Sequence, residues 1–87
     1  MMDNKLIKKD MLTRLRTIKG HIQGIENMIE EDKPCESILM QIAAVRSSID
    51  KVGTIIIEDH AKDCLLKDNL TKDEVDQLLK TVIKFTK

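Results

Sequence analysis

Apolar residues recur along the first third of the chain at alternating steps of four and three. Met11, Leu15, Ile18, Ile22, Ile25 and Ile29 form the series, which is the heptad seam of an amphipathic helix. It predicts a helix over residues 5–31. Gly20 and Gly24 interrupt it, each at a cost of about 1 kcal/mol relative to alanine. Four apart on one face, they either admit the backbone of a neighbouring helix or are tolerated surface glycines.

Asp32, Lys33 and Pro34 break the pattern. Proline cannot continue a helix but is tolerated in the first turn of the next, so a second helix is expected over residues 34–66. Its seam is Ile38, Ile42, Val45, Ile49, Val52 and Ile56, and Leu39, Ala43, Ala44, Ile55 and Ile57 widen the apolar surface. A helix apolar over so much of its girth must be covered on more than one side. The first helix covers one side, and another chain is the simplest cover for the rest. Lys67, Asp68 and Asn69 make a further polar break. Thr71 and Glu74 then have capping-box spacing, and Asp73 favours the same helix end. Val75, Leu78, Leu79, Val82 and Ile83 give a short third helix over residues 72–84, while residues 1–5 are expected to be disordered. The fold class is all-α: one domain over residues 1–87, with two long helices and one short.

Composition supports that reading. A lone domain of 87 residues buries a modest core and is often stabilised by oligomerisation. Phe85 is the only aromatic residue and Pro34 the only proline, which suits helix packing rather than a sheet or an aromatic pocket. No apolar run is long enough for a membrane span or a signal peptide, so a cytoplasmic protein without a membrane partner is expected. There is no glycine-rich phosphate loop and no Ser-His-Asp spacing, so neither an enzyme nor a small-molecule substrate is expected.

The net charge is zero, but its distribution is uneven. Lys5, Lys8, Lys9, Arg14, Arg16 and Lys19 meet only Asp3 and Asp10 at the start, whereas Glu26, Glu30, Glu31, Asp32 and Glu36 cluster around the first turn. The basic start can neutralise DNA phosphates or be an ordinary solvated face. Oligomerisation favours the first, because it repeats the patch.

The chain's only two cysteines and one of its two histidines, Cys35, His60 and Cys64, fall on the second helix. His60 and Cys64 are four apart and share a face. Cys35 begins the helix, about 37 Å from His60 if the helix is unbroken. One chain therefore cannot bring the three to one metal, nor join the cysteines in a disulfide. An antiparallel second copy would place Cys35 beside the partner's pair. Two thiolates and an imidazole are a soft set that suits Cu(I), whereas structural zinc usually takes four ligands; the alternative is that the two cysteines are small buried hydrophobes and His60 a surface histidine. His21 lies beside the first seam and is expected to be a boundary histidine with a polar partner, and Met11, Met28 and Met40 to be core filler.

The segments RLRTIKGHIQGIENMIEEDKPC, QIAAVRSSIDKV and EDHAKDC resemble the family of the copper-sensing operon repressor CsoR and the nickel sensor RcnR. The resemblance runs from Lys8 to Phe85. It implies an antiparallel four-helix-bundle dimer, a dimer-of-dimers homotetramer, and a repressor that binds operator DNA in the apo state and leaves it on binding its inducer. It places the metal ligands at Cys35, His60 and Cys64, the copper pattern. Nickel sensors add a histidine where this chain has Asp3, formaldehyde sensors a proline where it has Met2, and persulfide sensors lack the histidine found here as His60. The resemblance puts the helix-one arginines, Arg14 and Arg16, on the DNA face; Lys8, Lys9, Lys19, Arg46 and Lys51 are the further phosphate contacts expected of the basic residues. The chain departs from the pattern at Pro34, where copper sensors often have tyrosine, and at Thr54, where some relatives have arginine. The glutamate that supports the ligands from helix three is here matched only by Gln77, with Asp76 beside it.

The expected function is thus a Cu(I)-responsive repressor. Two alternatives stand beside it: a repressor that senses persulfide or thiol oxidation through Cys35 and Cys64, and a metal-buffering bundle that never touches DNA.

Overall fold

The computed structural model describes residues 4–66 and 70–87, the side chains of Cys64 and Leu65 excepted. The expected polar break at Lys67, Asp68 and Asn69 lies outside the described residues. Three helices and no strand occur among those described: α1 (Lys5–Glu30), α2 (Cys35–Leu65) and α3 (Lys72–Thr86).

The start of α1 is set by Asn4, whose side-chain oxygen accepts from the backbone N–H groups of Leu6 at 2.9 Å and Ile7 at 3.4 Å. These donors have no partner within the helix, so the cap is worth about 1 kcal/mol. Residues 4 and 5, expected to be disordered, are therefore the cap and first residue of α1. Its end is a Schellman turn. Lys33 N–H donates to the Met28 carbonyl at 3.0 Å and Asp32 N–H to the Ile29 carbonyl at 3.2 Å. Asp32 takes the left-handed conformation this requires, with φ 55°.

Pro34 sits one residue earlier relative to the second helix than expected. It precedes α2, and its carbonyl accepts from Ser37 at 3.0 Å and Ile38 at 3.2 Å. Thr71 caps α3, its hydroxyl oxygen accepting from Glu74 N–H at 3.1 Å, and α3 continues to Thr86, two residues beyond the expected end.

The short turn folds α1 back antiparallel along α2. Met11, Ile18, Val45 and Val52 are the buried hydrophobic residues of the described chain, with Ile7, Ile25, Ile55 and Ile56 packed around them. Met11, Ile18 and Ile25 are spaced by sevens, as are Val45 and Val52, which is the signature of one helix edge lying along another. The molecule is thin, 56 × 28 × 13 Å, so little else can be enclosed. The intervening members of the expected seams are not enclosed: Leu15, Ile22 and Ile29 on α1, and Ile42 and Ile49 on α2, are exposed. The expected seam is two stripes, and α2 of the same chain covers one.

α3 buries no residue fully and is joined to α2 through Phe85. A Cβ placed on Gly53 would fall on the Phe85 ring, so the absence of a side chain there is what lets the ring lie on α2. Nothing lies within 4 Å of where a Cβ would stand on Gly20 or Gly24. Within the chain, these two are the tolerated glycines of the sequence reading.

Candidate metal centre and nucleic-acid interface

On α2, His60 and Cys64 lie about seven and about eight turns beyond Cys35. All three positions therefore share one side of a 31-residue helix. Leu39, Ile42 and Ile49, all exposed, lie on that side between the two ends. Cys35 opens α2 as an exposed free thiol, and His60 is exposed. Among the described residues, no group of three or more His, Cys, Asp or Glu side chains could hold a metal ion. Along one α2, Cys35 and His60 stand near opposite ends of a rod. Asp76 and Gln77 are exposed on α3, and the Gln77 carbonyl accepts from the Thr81 hydroxyl at 2.9 Å.

The seven basic residues named from the sequence are all exposed, but they do not share one surface. Arg14 and Lys51 line a cleft of about 390 Å³ between α1 and α2, with Thr13, Thr17, Ile18, His21, Ser47 and Ser48. Arg16 and Lys19 flank Leu12 and Leu15 in a smaller groove of about 220 Å³. Arg46 lines a third, of about 440 Å³, with Asp50, Thr54 and Phe85 between α2 and α3. Thr54 donates its hydroxyl to the Asp50 carbonyl at 2.9 Å.

Arg14 Nε donates to Asp10 at 3.3 Å, and both side chains are about half exposed. Such surface pairs contribute at most about 1 kcal/mol, so the guanidinium can exchange this partner for an anion. His21 differs from its expected role. It is exposed, and no hydrogen bond or ion pair to another described residue holds it. A polar i, i+4, i+8 stripe of Thr13, Thr17 and His21 was the available sequence signal for the cleft.

No described helix is long and apolar enough to cross a membrane. The CsoR copper-sensing transcriptional repressor of Bacillus subtilis (strain 168) is 39% identical over 84 residues, spanning 92% of this chain and 83% of that protein. The CsoR of Mycobacterium tuberculosis (strain H37Rv) is 33% identical over 82 residues, spanning 91% and 68% respectively. Among solved structures, the Cu(I)-bound copper-sensing repressor CsoR of Geobacillus thermodenitrificans NG80-2 superposes with a TM-score of 0.88 at 26% identity, covering 100% of this chain and 94% of the other. The nickel-responsive transcriptional regulator InrS gives 0.80 at 31% identity, covering 98% and 97%. The fold is thus common to a copper-sensing repressor and a nickel-responsive regulator. With the model for metal-sensitive transcriptional repressors matching residues 7–84, the chain belongs to that family.

Proposed function

We propose that this protein is a cytoplasmic Cu(I)-responsive repressor. It works as a homodimer or homotetramer, holds operator DNA when apo, and releases it when Cu(I) binds between subunits. The observation that carries the reading is the shared side of α2. Cys35 stands at one end and His60 and Cys64 near the other, with exposed Leu39, Ile42 and Ile49 between them. A second copy laid antiparallel against this side, beside the Phe85 ring that already lies on it at Gly53, takes the exposed apolar residues out of water and brings each Cys35 to the other chain's pair. The resulting set of two thiolates and one imidazole fits a soft monovalent ion better than four-coordinate zinc.

Cu(I) supplies soft-ligand bonds to that set. The chain's own contribution is that the donors belong to different copies, so a filled site fixes the register of two α2 rods. DNA contacts fall to Arg14 and Arg16 first, then Lys8, Lys9, Lys19, Arg46 and Lys51. Asp76 and Gln77, both exposed on α3, are the groups assigned to support the ligands. Metal and operator oppose each other if the fixed register suits DNA poorly, with a coupling of about 1–3 kcal/mol. Cu(I) titrated into protein bound to the DNA upstream of its own gene tests this, and unchanged DNA affinity at saturation refutes it.

The exposed free thiol of Cys35 at the start of α2 supports a second reading. In it, a persulfide donor transfers its outer sulfur to Cys35 and leaves as a thiol, and the Cys64 thiol of the partner copy then displaces that sulfur as hydrogen sulfide, closing an interchain disulfide. Mass spectrometry would then show an interchain link that abolishes DNA binding, and His60→Ala would be nearly harmless. A bundle that only buffers metal would bind Cu(I) without salt-dependent DNA binding.

A further inference from the structure

The cleft between α1 and α2 is lined by eight residues that include Arg14 and Lys51 but no acid. Most of its hydroxyl groups are already committed. Thr13 donates to the Lys9 carbonyl at 3.0 Å, Thr17 to the Thr13 carbonyl at 3.2 Å and Ser48 to the Ala44 carbonyl at 3.0 Å. The donors left to face an incoming group are the Arg14 guanidinium, the Lys51 ammonium, the His21 ring N–H and the Ser47 hydroxyl. Among the described residues, no hydrogen bond or ion pair engages His21, Ser47 or Lys51. A guanidinium, an ammonium, an imidazole N–H and a hydroxyl lining one open cleft form a receptor for a compact, multiply accepting anion.

Its position matters as much as its chemistry. Thr13, Thr17 and His21 follow one another at steps of four on α1, on the flank away from Leu12, Leu15 and Ile22. Pairing of two copies through the apolar flank therefore leaves the cleft open, and the twofold repeats it at a fixed separation.

We infer that this cleft is a phosphate-binding site that grips one backbone phosphate of DNA, with His21 as a ligand alongside Arg14 and Lys51. The inference rests on the DNA-binding reading above and deepens it. Asp10 acts as the built-in competitor, because its carboxylate holds Arg14 at 3.3 Å and must yield when phosphate arrives. The shared chemistry is the phosphate group, whether it comes from DNA or is free in solution.

The test measures apo protein binding to a labelled duplex from upstream of the gene, by anisotropy across a salt series. His21→Ala weakens binding about tenfold for each engaged cleft, as expected for loss of a hydrogen bond to a charged acceptor. His21→Gln, which keeps an N–H donor, recovers most of the affinity. Lys51→Ala lowers the salt slope by about 0.9 for each phosphate released, and Asp10→Asn tightens binding. Unchanged binding in His21→Ala and Asp10→Asn, with Lys8→Ala weakened, overturns the cleft and leaves the DNA reading standing. Absence of salt-dependent binding by the unaltered protein overturns the DNA reading instead. Inorganic phosphate titrated against the His21 ring signals by NMR then decides the cleft itself. A saturable shift that Lys51→Ala abolishes upholds a phosphate site, and no shift ends the inference.

Discussion

Replacing a helical glycine with alanine ordinarily stabilises a protein, and at Gly53 the structure reverses that sign. In an open helix the change gains about 0.8–1 kcal/mol. Gly20 and Gly24 have open space where a Cβ would stand, so each should show that gain in the protomer. At Gly53 the same atom meets the Phe85 ring. Forcing a methyl into a filled site costs about 1–3 kcal/mol, and the ring, 41% exposed, can partly swing aside. The intrinsic helix gain offsets part of that cost, leaving Gly53→Ala destabilised by about 0–2 kcal/mol relative to the parent. The contrast with Gly20→Ala is then about 1–3 kcal/mol. Urea unfolding followed by circular dichroism, at one protein concentration, reads it directly. Phe85→Leu should remove most of the penalty of Gly53→Ala, giving a coupling above about 0.5 kcal/mol. A Gly53→Ala protein as stabilised as Gly20→Ala, with no coupling to Phe85, would refute the docking of α3 described above. Destabilisation at Gly20 or Gly24 would show instead that a second copy's backbone lies against them.

Ile49, 44% exposed in the single chain, becomes a buried pair if copies join through the α2 apolar side. Ile49→Asp should raise the dimer dissociation constant by about 100-fold or more, and an unchanged mass in sedimentation velocity would exclude that flank. Val52→Ala, in the core, should cost about 1–3 kcal/mol in urea unfolding; a loss under about 0.5 kcal/mol would contradict its burial. Asp32→Asn keeps a residue that tolerates the left-handed turn and removes a negative charge from the helix end, so unfolding should show a gain of about 0.3–1 kcal/mol. His60→Ala should lower Cu(I) affinity in a chelator competition by more than the ~10–100-fold typical of losing an outer partner of a ligand; unaltered affinity would remove His60 from the site.

The helices were legible because their signals are local. The seven-residue pattern, the Thr71 cap and the Pro34 break each act within a few residues. What the pattern could not assign was which partner each stripe faces. Met11 and Leu15 carry the same information in sequence, yet α2 buries one and leaves the other exposed. The shared side of α2 was legible through helical spacing, since positions 35, 60 and 64 fall on one side of any unbroken α2. The Phe85–Gly53 contact was not, because nothing near either residue announces a partner some thirty positions away. His21 was misread for a related reason. Its neighbours in the cleft include Ser47 and Lys51, which only the folding of α2 against α1 supplies.

α1 wears three lengthwise bands on a single cylinder: Met11 and Ile18 inward, Leu15 and Ile22 along one edge, Thr17 and His21 along the other. Because the bands cannot slip relative to one another, the helix behaves like a camshaft. Any roll that tightens its grip at one edge must loosen it at the other, so whatever comes to cover the Leu15 edge is mechanically geared to the shape of the opposite furrow.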